Sequence, residues 1–436
     1  MSIVMPVRDG ARYIVAAIEG LQRSDFQDFE LIVVDDASSD GSGDIAAAMG
    51  ATVIRSDRWI GGVSGRMSGV KRARGDILAF VDADVVVHPR ALSQIVERFA
   101  ANPETSAVIG GYDDAPRAPS VLSRFRNLLH AYFHRRAAHD ARTFWTGLGA
   151  VRRDAFETVG GFAHGPGMDD VEFGIRLHEA GFGIMLDASI QGTHLKIWTL
   201  PLMVKTDIFM RGAPWIRLAL ERGFFRNDMN TSVAQRASVA SAGLLLVALA
   251  IAAVAGGLPV LASAFGAGFA LAVAGWGDAD RGSPGPVAGI ALMLVSLLAA
   301  GGLLLVGAWP AAAAVVVAAS VRCLARPAYG SRPDAAGLAL VASVGLAFGL
   351  SVAAAPPSIW GVAALAALAL YVGLAWRILA FMGARMGLPG ALAALPLLLV
   401  YHLSCGLAVG VGLLGHFTRR PGPAWTTLAV QRTGVR

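Results

Sequence analysis

The sequence predicts an α/β domain followed by an all-α transmembrane domain, and three observations carry that expectation. Charge is divided unevenly: residues 1–197 hold 21 Lys/Arg and 25 Asp/Glu, whereas 238–418 hold only nine charged residues of either sign. Over the first part, short apolar runs alternate with amphipathic stretches, the pattern of a mainly parallel sheet covered by helices. Apolar spans of membrane-helix length then follow near 238–256, 258–276, 286–307, 309–325, 335–354, 359–382 and 389–416. The chain therefore divides into a soluble domain (1–197), an amphipathic interfacial segment (198–237), a helical membrane domain (238–418) and a basic tail (419–436).

In the soluble part, Ser2–Val7 reads as a strand, and Arg8-Asp9-Gly10 turns into a helix with Ile14, Ala17, Ile18 and Leu21 at helical spacing. Phe29–Val34 is a second strand, ending in the polar turn Asp35-Asp36-Ala37-Ser38-Ser39-Asp40-Gly41-Ser42 before a helix over 44–49. Ligands of open α/β sheets bind beyond such carboxyl ends. After a short strand at Thr52–Ile54, Gly61, Gly62 and Gly65 read as a loop that lets backbone approach a ligand, with Arg66 available to a phosphate or base. A helix to Arg74 leads into Ile77–Val81, an apolar strand that ends in Asp82-Ala83-Asp84. In extended chain both carboxylates leave on one face and suit a hard cation, Mg²⁺ or Mn²⁺, that would hold a diphosphate. Two acids capping a turn is the commoner use of so short a motif.

Beyond a helix at 90–101 and a strand at 107–111 lies a basic, aromatic helix over 120–139, with a core-facing stripe of Phe125, Leu128, Leu129, Tyr132 and Phe133. The stretch Phe144–Val151 precedes a helix that starts at Arg152–Phe156 and ends at Gly160-Gly161-Phe162. Met168-Asp169-Asp170 then opens an amphipathic helix, where acids either complement the helix dipole or supply a base.

The formal charge of +6 does not imply nucleic acid as a partner, because the basic excess lies in 198–236 and in Arg419, Arg420, Arg432 and Arg436. Those positions flank membrane. The start of the chain lacks a secretory pattern, so the first domain is expected to be cytosolic. Cys323 and Cys405 lie in or beside apolar segments and form neither a disulfide nor a zinc pattern. Residues 198–226 interleave Trp198, Ile208, Phe209, Trp215, Ile216 and Leu218 with Lys205, Arg211, Arg217 and Arg222. Such a segment lies in the membrane interface, or else packs on the soluble domain. Arg322, Arg326, Arg332, Arg377, Arg385 and Arg419 favour the cytosol, which suits an even number of spans better than seven. The stretch 389–416, broken by Pro396, is then re-entrant or interfacial. Within the spans only Arg322 and Arg377, near their ends, are charged, which argues against ion-coupled transport.

Taken together, the motifs resemble the family-2 inverting glycosyltransferases of the GT-A fold, a nucleotide-diphospho-sugar-binding domain. The resemblance covers roughly 1–197 and rests on Ile3–Val7, Val33–Ser42, Arg66 with Gly69, Gly75-Asp76 before Asp82-Ala83-Asp84, Gly160-Gly161-Phe162, and Asp169-Asp170 before Arg176-Leu177. It implies that Asp35 and Asp36 meet the base and ribose, and that Pro6, Arg66, Gly147 and Asp169 line the substrate pocket. Asp84 would hold the metal on the diphosphate, with Asp82 against the ribose or donor sugar and sharing the metal, His194 an additional metal or phosphate contact, and Asp170 the catalytic base. Two positions depart from the family pattern: Asp169 stands where Glu is usual, and Met67 where Asn often follows the arginine. The implied protein is a multi-pass inner (plasma) membrane enzyme that takes a cytosolic nucleotide-sugar donor and Mg²⁺ or Mn²⁺, with a lipid-linked or membrane-embedded acceptor. A processive polysaccharide synthase is the alternative enzyme, although Arg211-Gly212-Ala213-Pro214-Trp215 is not the Gln-x-x-Arg-Trp motif of those synthases. A non-catalytic nucleotide-binding membrane protein is the alternative outside enzymes.

Overall fold

Strand β1 (Ser2–Val7) is buried along nearly its whole length, and its side chains alternate between two cores. Ile3 and Met5 face Ile14 and Ile18 of α1 (Ala11–Gln22) and Ile95 and Phe99 of α4 (Ala91–Ala101). Val4 faces the other side with Phe80, Phe156, Phe162 and Phe173. This is the period of two that a sheet covered on both faces requires. The computed structural model describes residues 1–137, 139–165, 167–223, 231–256, 359–418 and 426–427.

The sheet has nine strands. β1 lies parallel between β2 (Glu30–Asp36) and β4 (Ile77–Val81), with β3 (Thr52–Ser56) beyond β2. On the other side of β4 come β8 (Leu148–Arg152), β6 (Thr105–Tyr112), β10 (Gly183–His194) and β5 (Val85–Val87), with β7 (Asp140–Ala141) also paired to β10. β8 is antiparallel to both of its neighbours, so the sheet is mixed rather than mainly parallel beyond β4. β10, with its interrupted register and polar interior positions, has no clean alternation to announce it.

Helices α2 (Ser42–Ala48), α3 (Gly61–Arg72), α6 (Arg153–Thr158) and α7 (Asp169–Glu179) complete the α/β domain. The Gly61–Gly65 stretch is not a ligand loop, since Gly61 starts α3 and the rest lies inside it. A Cβ on Gly65 would stand 3.7 Å from the Pro6 side chain, so small residues here let the helix lie close on the sheet. Met67 is only 1% exposed and belongs to the Phe80 core, which explains its departure from a polar residue.

The stripe on α5 (Val121–Arg136) does face a core, and that core is shared with the C-terminal helices. Phe125, Leu128 and Leu129 pack with Trp198, Met203, Ile378, Met382 and Tyr401. After β10 the chain forms α8 (Leu200–Lys205), a π-helical turn (Thr206–Gly212) and α9 (Ala213–Arg222). Trp198, Ile208 and Leu218 of this segment are buried inside the protein, and Phe209 and Met210 are left exposed at 60% and 56%. Most of the apolar face read as interfacial is therefore used in packing on the protein itself.

Two described helices are long and apolar enough to cross a membrane, Val233–Ile251 within α10 (Val233–Gly256) and Ala366–Thr418 within α11 (Ile359–Thr418). α11 breaks at Gly387, whose φ of 73° lies in the left-handed region, and this separates the two spans expected at 359–382 and 389–416. Its second arm runs along the α/β domain. Tyr401 meets Phe133, and Gly412 lies against Ile216. Further on, β11 (Thr426–Thr427) pairs antiparallel with β9 (Ala163–His164). Within the second arm, buried His402 bonds Gln235 of α10 at 2.7 Å and Tyr371 of the first arm at 3.0 Å. The expected spans between 258 and 354, Cys323, Arg322, Arg326, Arg332 and the tail arginines lie outside the described residues.

Candidate active site

β4 ends at Val81, and the next residues turn instead of continuing extended, with the Val85 N–H donating to the Asp82 carbonyl at 3.0 Å. The same-face argument for Asp82 and Asp84 therefore fails, and the two carboxylates take different partners. Asp82 pairs with Arg66 at 3.3 Å, while Asp84 meets His194 Nε2 at 3.5 Å and Lys196 Nζ at 4.0 Å. Burial raises the Asp82 pKa, opposed by Arg66 and reinforced by Asp84. For Asp84 burial acts in the same sense, but the His194 bond and charge and Lys196 outweigh it and hold the carboxyl below its ordinary value. His194 reaches Asp84 because β5, which begins one residue after Asp84, pairs antiparallel with the end of β10 and sets Val85 opposite His194. Among the described residues no group of three or more His, Cys, Asp or Glu side chains stands together as a ready metal cluster. Asp84 and His194 remain as one hard oxygen and one imidazole nitrogen, a donor pair that suits Mn²⁺ or Mg²⁺ with the balance from substrate oxygens.

The loop before β8 joins the two acidic motifs. Gly147 accepts from the Asp82 N–H at 3.4 Å, and Thr146 offers its N–H and hydroxyl to Asp170 Oδ2, each at 3.4 Å. A side chain on Gly147 would collide with the Trp145 ring, so Gly147 serves close packing. Arg66 ties the motifs a second time, since its guanidinium lies 3.3 Å from Asp82 and 3.5 Å from Asp169. The Arg66 Nε is buried without a hydrogen-bond partner among the described residues, an orphan donor beside the cleft. Burial and the neighbouring Asp169 push the Asp170 pKa up to about 6 against the pull of Arg66. A carboxyl of that strength is poised to exchange a proton near neutral pH.

Asp35 and Asp36 are each 6% exposed and already engaged by backbone. Asp35 accepts from the Ser38 N–H at 3.0 Å, and Asp36 from the N–H groups of Ile60 and Gly61 at 2.6 and 3.0 Å. They clamp β2 to the starts of α2 and α3, at the same sheet end as Pro6. Beside this clamp Trp59 stands 69% exposed with Arg8 over its ring at 5.6 Å, a flat surface that the sequence did not single out.

Other site residues have no local sequence signal. Tyr112 stacks on His194 with ring centroids 4.3 Å apart, and His130, His134 and Trp145 extend this wall. Burial keeps both histidines neutral, His134 at about 4. Arg211, in the π-helical turn, bonds His130 Nε2 at 2.9 Å, and burial followed by Arg126 lowers its pKa while Tyr112, Asp207 and Asp170 oppose this. The buried Arg126–Asp207 pair anchors the same turn to α5.

Comparison with known proteins agrees with this architecture. Residues 2–160 match the model described as glycosyl transferase family 2. Relatives include Glycosyltransferase GlyG of Streptococcus pneumoniae, 26% identical over 117 residues (26% of this chain, 38% of that protein). Another is Glycosyltransferase AglE of Haloferax volcanii, 25% identical over 209 residues (44% of this chain, 66% of that protein). The chain spans little more than a third of the length of the first three curated relatives it matches, at 38, 34 and 33%. Among solved structures, a mannosyltransferase of Pyrobaculum calidifontis in complex with GDP-Man and Mn²⁺ is 18% identical, with a TM-score of 0.43 over 86% of this chain and 87% of that one. Within the mixed α/β domain, residues 2–160 are therefore a glycosyl transferase family 2 region by sequence.

Proposed function

We propose that this protein is a membrane-bound inverting glycosyltransferase that moves a sugar from a nucleoside diphosphate sugar to a lipid-linked or membrane-embedded hydroxyl. The observation that carries the reading is that Thr146, Gly147 and Arg66 hold Asp82 beside Asp169 and Asp170, with Asp84, two residues beyond Asp82, set against His194. Trp59 and Arg8 flank the place for the base, beside the Asp36 clamp. Asp84 and His194 would hold Mg²⁺ or Mn²⁺, which when bound supplies Lewis-acid stabilisation of the departing diphosphate. Arg66, with its orphan Nε, adds a fixed positive charge to the donor side. Asp170 accepts the proton of the acceptor hydroxyl as that oxygen attacks the anomeric carbon and the bond to the diphosphate breaks. No second nucleophile is required, so one displacement inverts the anomeric centre. The exposed Phe209 and Met210 and the apolar helices α10 and α11 support a bilayer location and an acceptor that stays in the membrane.

A panel of radiolabelled nucleotide sugars offered to membranes that contain the protein tests this directly. One donor should label the lipid extract, and Asp84→Asn should remove most of that labelling while the protein stays folded. Full labelling in EDTA would overturn the metal-dependent reading.

A further inference from the structure

Asn127 lies on α5, away from every acidic motif of the sequence, and is 2% exposed. Its four hydrogen-bond contacts determine one another. The amide Nδ2 donates to the carbonyl oxygens of His194 and Lys196 at 3.2 and 3.4 Å, and carbonyls only accept. The amide Oδ1 accepts from the Trp198 indole N–H at 3.1 Å, and an indole only donates. Both sides fix the same orientation of the amide, so no flip is available. The second contact of Oδ1 is His194 Nδ1 at 2.8 Å, and that nitrogen must therefore carry the proton.

We infer that Asn127 is a positioning residue that holds His194 in its Nδ1–H tautomer, so that the Nε2 lone pair is presented to a divalent cation shared with Asp84. The inference rests on the metal-dependent reading above. With the Nδ1–H committed to Asn127, Nε2 is the ring nitrogen left to face Asp84, 3.5 Å from its Oδ1. A divalent cation between the two would take one nitrogen and one oxygen donor from them. Tyr112, stacked on the ring at 4.3 Å with planes 7° apart, keeps the imidazole from turning out of this alignment. Asn127 itself is held because α5 is fixed to the following segment by Ser123, whose hydroxyl accepts from the Trp198 N–H at 2.8 Å and donates to the Trp198 carbonyl at 3.2 Å. A metal-ligating histidine generally depends on such a partner for its other nitrogen, and losing the partner typically weakens metal binding by about 10–100-fold.

The test is Mn²⁺ affinity of the full chain in detergent, followed by the loss of the free-ion electron paramagnetic resonance signal, with thermal melts as a folding control. Asn127→Leu removes the acceptor and should weaken Mn²⁺ binding by about 10–100-fold. Asn127→Asp keeps an acceptor for both His194 Nδ1 and the indole, and should bind Mn²⁺ at least as tightly as the unaltered protein. In a His194→Ala background neither change should alter the affinity further. Trp198→Phe loosens the same network while leaving Nδ1 its acceptor, so affinity should hold. Equal weakening by the Leu and Asp variants, or weakening by Leu in the His194→Ala background, would overturn the assignment and leave Asn127 a packing residue. If Asn127→Leu does not fold, the Asp variant and Trp198→Phe decide it, since a packing role predicts that both lose affinity. An unaltered protein that binds no Mn²⁺ would overturn the metal reading itself, a result distinct from Mn²⁺ binding that ignores residue 127.

Discussion

Asp170 owes its strength as a base to burial and to Asp169, which together push its pKa up to about 6. Two consequences have opposite signs. The proposed role as base needs the ionised form, so on that proposal transfer should fall as pH drops below about 6, and Asp170→Asn should lower turnover by roughly 10²–10⁴ while donor binding persists. Stability runs the other way, because a folded pKa raised above the ordinary carboxylate value means that ionisation opposes folding. That cost is absent below about pH 4, grows as pH rises through about 6 and is complete at pH 8. Asp170→Asn should therefore melt higher than the unaltered protein at pH 8, with the difference vanishing near pH 4. A variant that melts lower at both pH values would show that the bonds from Thr146 and the Val171 N–H outweigh the cost of burying the charge. At this scale, the motifs Asp82-Ala83-Asp84 and Asp169-Asp170 were legible as chemistry, whereas their pairing through Arg66 was not. The three come from α3, the end of β4 and the start of α7, and only the folded sheet brings them together.

The elements that carry these residues are held by polar clamps as well as by packing. Glu172 of α7 is fully buried and takes Arg176 at 2.9 Å, while Arg222 of α9 pairs with the same carboxylate from outside the α/β domain. Arg176 also donates to the carbonyl of Gly161 at 2.6 Å, which ties the Gly160-Gly161-Phe162 turn to the helix bearing Asp170. Glu172→Gln leaves two arginines facing a neutral group. It should cost roughly 3–5 kcal/mol, the scale for breaking a buried ion pair from one side, read as a lower denaturation midpoint. A change under about 1 kcal/mol would place the pair with surface bridges instead. The positions of β1, β2, β3, β4 and β6 followed from short apolar runs, whereas β5, β7 and β9, of two or three residues, and the antiparallel β8 did not announce themselves. What periodicity does not reveal is register and direction. The antiparallel entry of β8, the length of β10, and the turn after Val81 that separates Asp82 from Asp84 are all decided by pairing across the sheet.

In the whole molecule, the catalytic domain and the apolar helices share one seam, built from α5, Trp198, Met203 and α11. The 198–226 segment was expected to lie in the membrane interface or else to pack on the soluble domain, and the structure sets Trp198 in that seam and buries Ile208 and Leu218 within the protein. This moves the prediction about membrane presentation from those residues to Phe209 and Met210. The same π-helical turn that exposes these two side chains carries Arg211, itself exposed, whose guanidinium bonds His130 on the wall that contains Tyr112 and His194. A turn that offers two apolar side chains beside a cation can sit at headgroup height. Each large apolar side chain fully buried in lipid contributes roughly 1.5–3 kcal/mol, so Phe209→Ser with Met210→Ser should weaken seating on the bilayer without opening the core. Transfer to lipid acceptors should then fall well below hydrolysis of the soluble donor, with the melting temperature unchanged. Leu218→Ser, at a position only 1% exposed, should instead lower the melting temperature and reduce both activities together. If the double substitution reduces both activities equally, the turn serves the catalytic wall and not the membrane, and the acceptor must reach Asp170 by another side of the cleft.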